Sequence, residues 1–240
     1  MSHELEPSPP PLPRRLESGK SPRPSQGVLV NVGDPSPAPS LPEWHLRWIR
    51  EEPRYRALGV VQHEDPEFET FTYGDYTWKP AKVNLAKMQV GDWIFFNETL
   101  IIAGVKLRYV IACYYLEERI SYTDLAEQDL LDDPRYVRNA HVRRNRLIPD
   151  SDTRFSVWRG GPGSRLLARP LLMDRALIEG LDLRSQDGQP WDWAQCNLHG
   201  KAFTDLQLIG FHTRATRLLD ATQTTWLLQR FDALPVRAAR

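Results

Sequence analysis

The chain has 240 residues, 41% of them hydrophobic and 26% charged, with 31 Lys+Arg against 31 Asp+Glu and a formal net charge of zero. This is the composition of an ordinary globular chain, long enough for one large domain or two small ones. It excludes attraction to nucleic acid or membrane by overall charge, so any such binding needs a local patch.

Residues 1–26, MSHELEPSPPPLPRRLESGKSPRPSQ, are dominated by proline, serine and charge, and read as a disordered tail. They contain no apolar core of a signal peptide. GVLVNVG, from Gly27, reads as a buried strand and opens the folded part, a single domain over 27–240. DPSPAPSLP must be irregular, because proline denies both ladder donors and helix continuation. EWHLRWIREE is a short amphipathic helix candidate before Pro53, and ALGVVQ a second short strand.

KPAKVNLAKMQVGDWIFF reads as a short helix, a Gly91-Asp92 turn and a strand. Leu107 to Ile120 is the longest strand candidate, apolar at its centre on both faces, hence central in the sheet. It contains Cys113, a buried thiol. With only Cys196 besides, the cysteines form neither a disulfide framework nor a zinc site, and a reducing cytoplasm fits. TDLAEQDLL reads as a helix capped by Thr123 or Asp124. RFSVWRGGPGSRLLARPLLM reads as two strands joined into a hairpin by a Gly-Pro-Gly turn. DLQLIGFHTRATRLLDATQTTWLLQRF begins as loop or strand. It continues as an amphipathic helix with Leu218, Leu219, Thr222, Trp226 and Leu227 at helical spacing, ending before Pro235. Strands and helices mix without regular alternation, which predicts an α+β fold: a mixed, curved sheet with flanking helices and a C-terminal amphipathic helix. No apolar run is long enough to span a membrane.

Walker, dinucleotide-binding, zinc-protease and nucleophile-elbow motifs are missing, so no cofactor or metal is indicated. Three polar segments stand out. In HEDPEFETFTYGDY, His63 and Asp65 are two apart and share one side of an extended segment. They could form an acid–base pair or ligate a metal; the plainer reading is a loop histidine with Asp65 capping a turn. Further on, Asp75 follows Gly74, and Tyr73 and Tyr76 could stack on a planar ring such as a base. Glu64, Glu67 and Glu69 read as solvated charges.

The second segment, RNAHVRRNR, sets His141, Arg143, Arg144 and Arg146 beside Asn139 and Asn145. Arginine forks match phosphate and asparagine can match an adenine edge, although a solvated arginine-rich loop explains such a run too. It lies in a stretch, 135–175, with ten arginines against three acidic residues. The third, WRGGPGSR, places Arg159 and Arg165 around a turn whose backbone donors could hold an anion.

In their order along the chain these pieces resemble the nucleotide modification associated domain 3 family. The segments that carry the resemblance are VLVNVGDPS, the H-x-D-P-x-F…TYGD stretch, GDWIFF, RYVIACYYLEERI, NAHVRR, VWRGGPGSRLLARPLLM and the C-terminal Trp-containing helix. The resemblance implies a part in DNA base hypermodification. It marks His63, Asp65, Asp75, Asn139, His141 and Arg144 as site residues. The expected division of labour makes His63 or Asp65 a general base or metal ligand and gives Asp75 the orientation of a hydroxyl or amine. Arg143, Arg144 and Arg146 would hold phosphate, with Arg159 and Tyr73 as further binding residues, and Asn139 with His141 would read or polarise a base. The partner expected is a nucleotide or DNA. A non-catalytic reader of modified bases and a protein-interaction module using the proline-rich tail are the alternatives.

Overall fold

A computed structural model describes residues 23–32, 65–102, 105–147, 152–185, 187–197 and 199–234. His63, the EWHLRWIREE and ALGVVQ segments, Pro235 and the tail through residue 22 lie outside the described residues.

The architecture is α+β, as the unpatterned mixture of elements predicts. Seven strands of the described residues form one mixed sheet: β1 (Gly27–Asn31), β2 (Thr72–Asp75), β3 (Trp93–Ile102), β4 (Val105–Ser121), β5 (Ser156–Gly160), β6 (Arg165–Leu172) and β7 (Arg217–Leu219). The order is β2-β5-β4-β3-β1-β7, with β6 also on β4. Among these strands β1 and β3 pair in parallel and the other pairs are antiparallel. Among the described residues five α-helices flank it: α1 (Tyr122–Glu127), α2 (Ala140–Leu147), α3 (Arg175–Gly180), α4 (Asp205–His212) and α5 (Ala221–Asp232). Register shifts at Phe96/Asn97, Val110/Ala112 and Leu116/Glu118 bend the long strands.

Alternation along the strands sorts the side chains onto two faces. On one face Val28, Val30, Ile94, Phe96, Ile111, Tyr114, Tyr73 and Trp158 pack with Leu85 and Met88. On the other, Leu29, Phe95, Val110 and Cys113 pack under α3, α4 and α5. A third cluster, including Ile120, Leu125, Tyr136, Val142, Phe155 and Val157, lies beneath α1 and α2 and supports the region around β2. Burial pushes the Cys113 thiol up to about 12, so it stays protonated as a core group.

Local chemistry explains the boundaries. The Gly91-Asp92 turn forms as expected: Gly91 takes φ 89°, and Asp92 accepts from Gln89 N at 2.9 Å and Gln26 N at 3.1 Å. Asp92 also pairs with Arg23, so residues 23–26, expected in the tail, belong to the folded part. The helix expected before this turn is two 3-10 turns, Pro80–Lys82 and Leu85–Lys87. α1 is capped by Ser121, two residues before Thr123, the earlier of the expected caps, with Asp124 closing the capping box from inside. α4 forms where a loop or strand was expected, because Thr204 and Gln207 supply a capping box. Leu218 and Leu219 belong to β7, and the last helix starts after Asp220, its cap.

The expected β5–β6 hairpin does not form. Both strands lie antiparallel on the same edge of β4, β5 against 116–121 and β6 against 109–113. Gly161–Ser164 is an excursion that interrupts a continuing strand direction. Gly161 N donates to Tyr115 O at 2.8 Å, and Ser164 Oγ accepts the Tyr115 N–H at 3.0 Å, so a side chain fills the interrupted ladder.

Candidate functional site at the edge strand β2

β2 is four residues long and ends the sheet. Its inner edge pairs with β5, Thr72 opposite Arg159 and Asp75 opposite Ser156. Its outer edge is closed by the acidic stretch itself. Glu67 and Thr72 exchange both backbone hydrogen bonds, at 2.8 and 3.1 Å. The Glu67 carboxylate, 1% exposed, accepts from Glu69 N and Thr70 N, each at 2.8 Å, and from the Thr70 hydroxyl. Glu67 is therefore a buried turn-former and not the solvated charge expected. A burial of this kind is affordable only because so many donors meet the charge.

Asp65 lies beside this turn and is 2% exposed. Its carboxylate accepts from Gly74 N at 3.2 and 3.4 Å, and its Oδ2 lies 3.4 Å from His141 Nε2. His141 comes from α2, so the RNAHVRRNR segment is a helix and not a loop. The cause is Asn139: its Oδ1 accepts from His141 N at 3.0 Å and Val142 N at 3.3 Å, a helix N-cap. Val142 is fully buried beneath the helix. The helix start sits so close to β2 that a Cβ on Gly74 would lie 2.8 Å from Asn139 Oδ1 and 2.9 Å from His141 Cβ. The His141 ring is further boxed by Tyr76 at 5.1 Å and Phe155 at 5.2 Å between centroids.

The opposite face of β2 carries a second polar group. Lys82 Nζ lies 2.6 Å from Asp75 Oδ2 and donates to Tyr73 OH at 3.1 Å. Tyr73 donates to Asp75, and Tyr76 N donates to Asp75 Oδ1 at 2.7 Å. Burial pushes the Asp75 carboxyl up, but the Lys82 charge and these donors outweigh it and hold the group below the usual aspartate value. Burial, then the charges of Asp75 and Asp65, drive the Tyr73 hydroxyl well above its ordinary value, so it is a neutral phenol. Lys82 was missed in the sequence. One signal was there: three of the six lysines fall within residues 79–87.

The expected binding residues separate under this geometry. Asp65 and His141 meet, while Asp75 sits across the strand with Lys82 as its partner. Tyr73 is packed against Phe96 and Trp158, so its ring is a core ring and not a stacking platform. Asn139 is fully buried and holds the helix start, which removes it from base reading. Arg159 pairs with Glu117 and Glu118, each at 2.9 Å, and Arg146 pairs with Asp132 at 2.5 Å, so both have partners inside the protein. Arg138 likewise meets Glu69, and Arg165 meets Asp232 at 2.6 Å. The arginine excess of 135–175 is thus offset by carboxylates that flank it or arrive from other segments. Arg143 is partly buried on α2, and Arg144 is exposed there.

Among the described residues no group of three or more His, Cys, Asp or Glu is placed to hold a metal ion, and no helix is long and apolar enough to cross a membrane. No protein-family model, curated protein or solved structure matches the chain. The chemistry within reach is that of Asp65–His141: a recessed carboxylate, oriented by a backbone N–H, beside an imidazole whose ring nitrogens can give or accept a proton.

Proposed function

We propose that the protein receives a nucleotide, or a DNA base presented out of its stack, at the Asp65–His141 pair and acts on it by proton transfer. One observation carries the reading: Asp65 is almost wholly buried, and 3.4 Å from it lies an imidazole whose side chain keeps 19% of its surface exposed. An imidazole set between a recessed carboxylate and solvent can pass a proton between that carboxylate and a bound substrate. Arg144 on the same helix supplies a fork for phosphate. A base in a duplex would have to leave the stack to reach the pair. The order of segments that resembles nucleotide modification associated domain 3 proteins supports the same class of substrate.

The experiment compares DNA from cells expressing the wild type, Asp65→Asn or His141→Gln, with nucleosides analysed by mass spectrometry and folding checked by circular dichroism. A new nucleoside made by the wild type and lost in either folded variant is expected. Full modification and full nucleotide binding in both variants would remove this site. The enclosure of His141 by Tyr76 and Phe155 favours one second reading, a non-catalytic reader of bases. Unchanged nucleosides together with tight, salt-sensitive DNA binding would select it.

A further inference from the structure

We propose that Trp78, Lys79 and Arg154 form a docking surface for single-stranded nucleic acid that leads along Tyr76 to the Asp65–His141 pair. The direction of this path rests on the base-site reading above; the surface itself rests on separate contacts.

Trp78 is 52% exposed. An isolated exposed aromatic needs no function. This one is neither isolated nor loose. Its ring meets Tyr76 edge to face at 6.3 Å, and Tyr76 in turn meets His141. The row therefore runs from an exposed indole through a half-buried phenol to the recessed imidazole. Two cations lie over it: the Arg154 guanidinium 4.7 Å from the Trp78 ring centre, and Lys79 Nζ 4.2 Å from Tyr76 and 5.8 Å from Trp78. Asp152 grips Arg154 through two nitrogens, at 2.9 and 3.0 Å, which fixes the guanidinium in place. Arg144 acts from the α2 side, its charge opposing the rise that burial gives the Tyr76 hydroxyl. Asp152 and Asp75 are acidic groups beside the row, each raising the Tyr76 hydroxyl.

An exposed ring with two cations beside its row suits a polymer that offers free base faces and one phosphate per nucleotide, which is a single strand. A duplex hides its base faces and would meet only the cations. A free mononucleotide would use one ring or one cation and leave the row unused.

The test uses the full chain and fluorescence anisotropy of a fluorescein-labelled 20-nucleotide oligo-dT, the same length of duplex, and competition by the four deoxynucleoside monophosphates. The single strand is expected to bind more tightly than the duplex. Trp78→Ala should weaken the single strand by about tenfold, the loss of one stacked base, with duplex binding unchanged. Trp78→Phe, which keeps a ring, should recover part of it. Lys79→Gln with Arg154→Gln should flatten the dependence on salt. Strand binding by Trp78→Ala equal to wild type, or no preference for the single strand, overturns the proposal. The two readings fail separately. A Trp78-dependent strand that His141→Gln binds normally, with nucleosides unchanged, keeps the surface and removes the Asp65–His141 site. Monophosphates that compete in wild type and not in His141→Gln, with Trp78→Ala unaffected, do the reverse.

Discussion

Lys82 Nζ approaches Asp75 Oδ2 to 2.6 Å on the face of β2 opposite His141, and the same carboxylate takes the Tyr76 backbone N–H at 2.7 Å. One aspartate thus ties a 3-10 turn to the end of the strand and fixes the residue whose ring packs on His141. The turn is anchored in its own right, since Thr216 N donates to Ala81 O at 2.8 Å and Asn84 Nδ2 to Thr216 O at 2.8 Å.

The pH dependence of this tie has a definite sign. The Asp75 carboxyl is held below its unfolded value of about 3.9, so its contribution to stability is complete above that value and is lost as pH falls through the folded one. Urea unfolding at pH 7 and pH 3 should show a smaller loss on acidification for Asp75→Asn than for the wild type. Lys82→Met leaves the buried charge uncompensated and should cost about 3 kcal/mol at pH 7.

Glu67 offers the same test for the turn. Glu67→Ala removes the acceptor for Glu69 N, Thr70 N and the Thr70 hydroxyl, and should cost about 2–3 kcal/mol by chemical denaturation. Glu69→Ala, at an exposed position paired only with half-exposed Arg138, should cost under about 1 kcal/mol.

Asn139 distinguishes a cap from a base reader. Asn139→Ala should lower stability by about 1–2 kcal/mol through α2, and Asn139→Asp, which keeps the acceptor, should restore most of it. A base-reading residue would show the opposite pattern: unchanged melting and a lost preference for one base.

The excursion between β5 and β6 predicts coupling between two small residues. A Cβ on Gly160 would lie 2.2 Å from Ser164 Oγ, and 3.0 Å from Ser164 Cβ. Gly160→Ala should therefore destabilise by about 1–3 kcal/mol. Ser164→Ala alone should cost about 1 kcal/mol, because it strands the Tyr115 N–H. In a double-mutant cycle the two costs should sum to more than the double variant shows, since removing the hydroxyl relieves most of the clash.

Much of the frame was legible because it depends on local signals. A run apolar on both faces marked β4, and the Gly91-Asp92 pair marked the turn before β3. What stayed hidden depends on partners far along the chain. RNAHVRRNR has few apolar positions, so its helix shows only when Asn139 is seen to cap it and Val142 to fill the cluster under it. The Gly161–Ser164 excursion carries every sign of a hairpin turn. It fails to be one because β4, with 17 residues, is long enough to pair both flanking strands on one edge. Asp65 and His141 were each singled out, but their meeting across the edge of β2 was not readable from spacing. The arginine run looked like a basic patch only while the carboxylates that answer it lay elsewhere in the sequence.

β4 has a further consequence. Its C-terminal third carries β5, and through it β2, whereas the rest carries β3 and β6, so the hydrogen-bonded network divides into two wings on one spine. Every ladder bond between the wings passes along that strand. Amide exchange should consequently resolve two protection groups that meet near Leu116, with the wing bearing Asp65 and His141 able to open while the other stays closed.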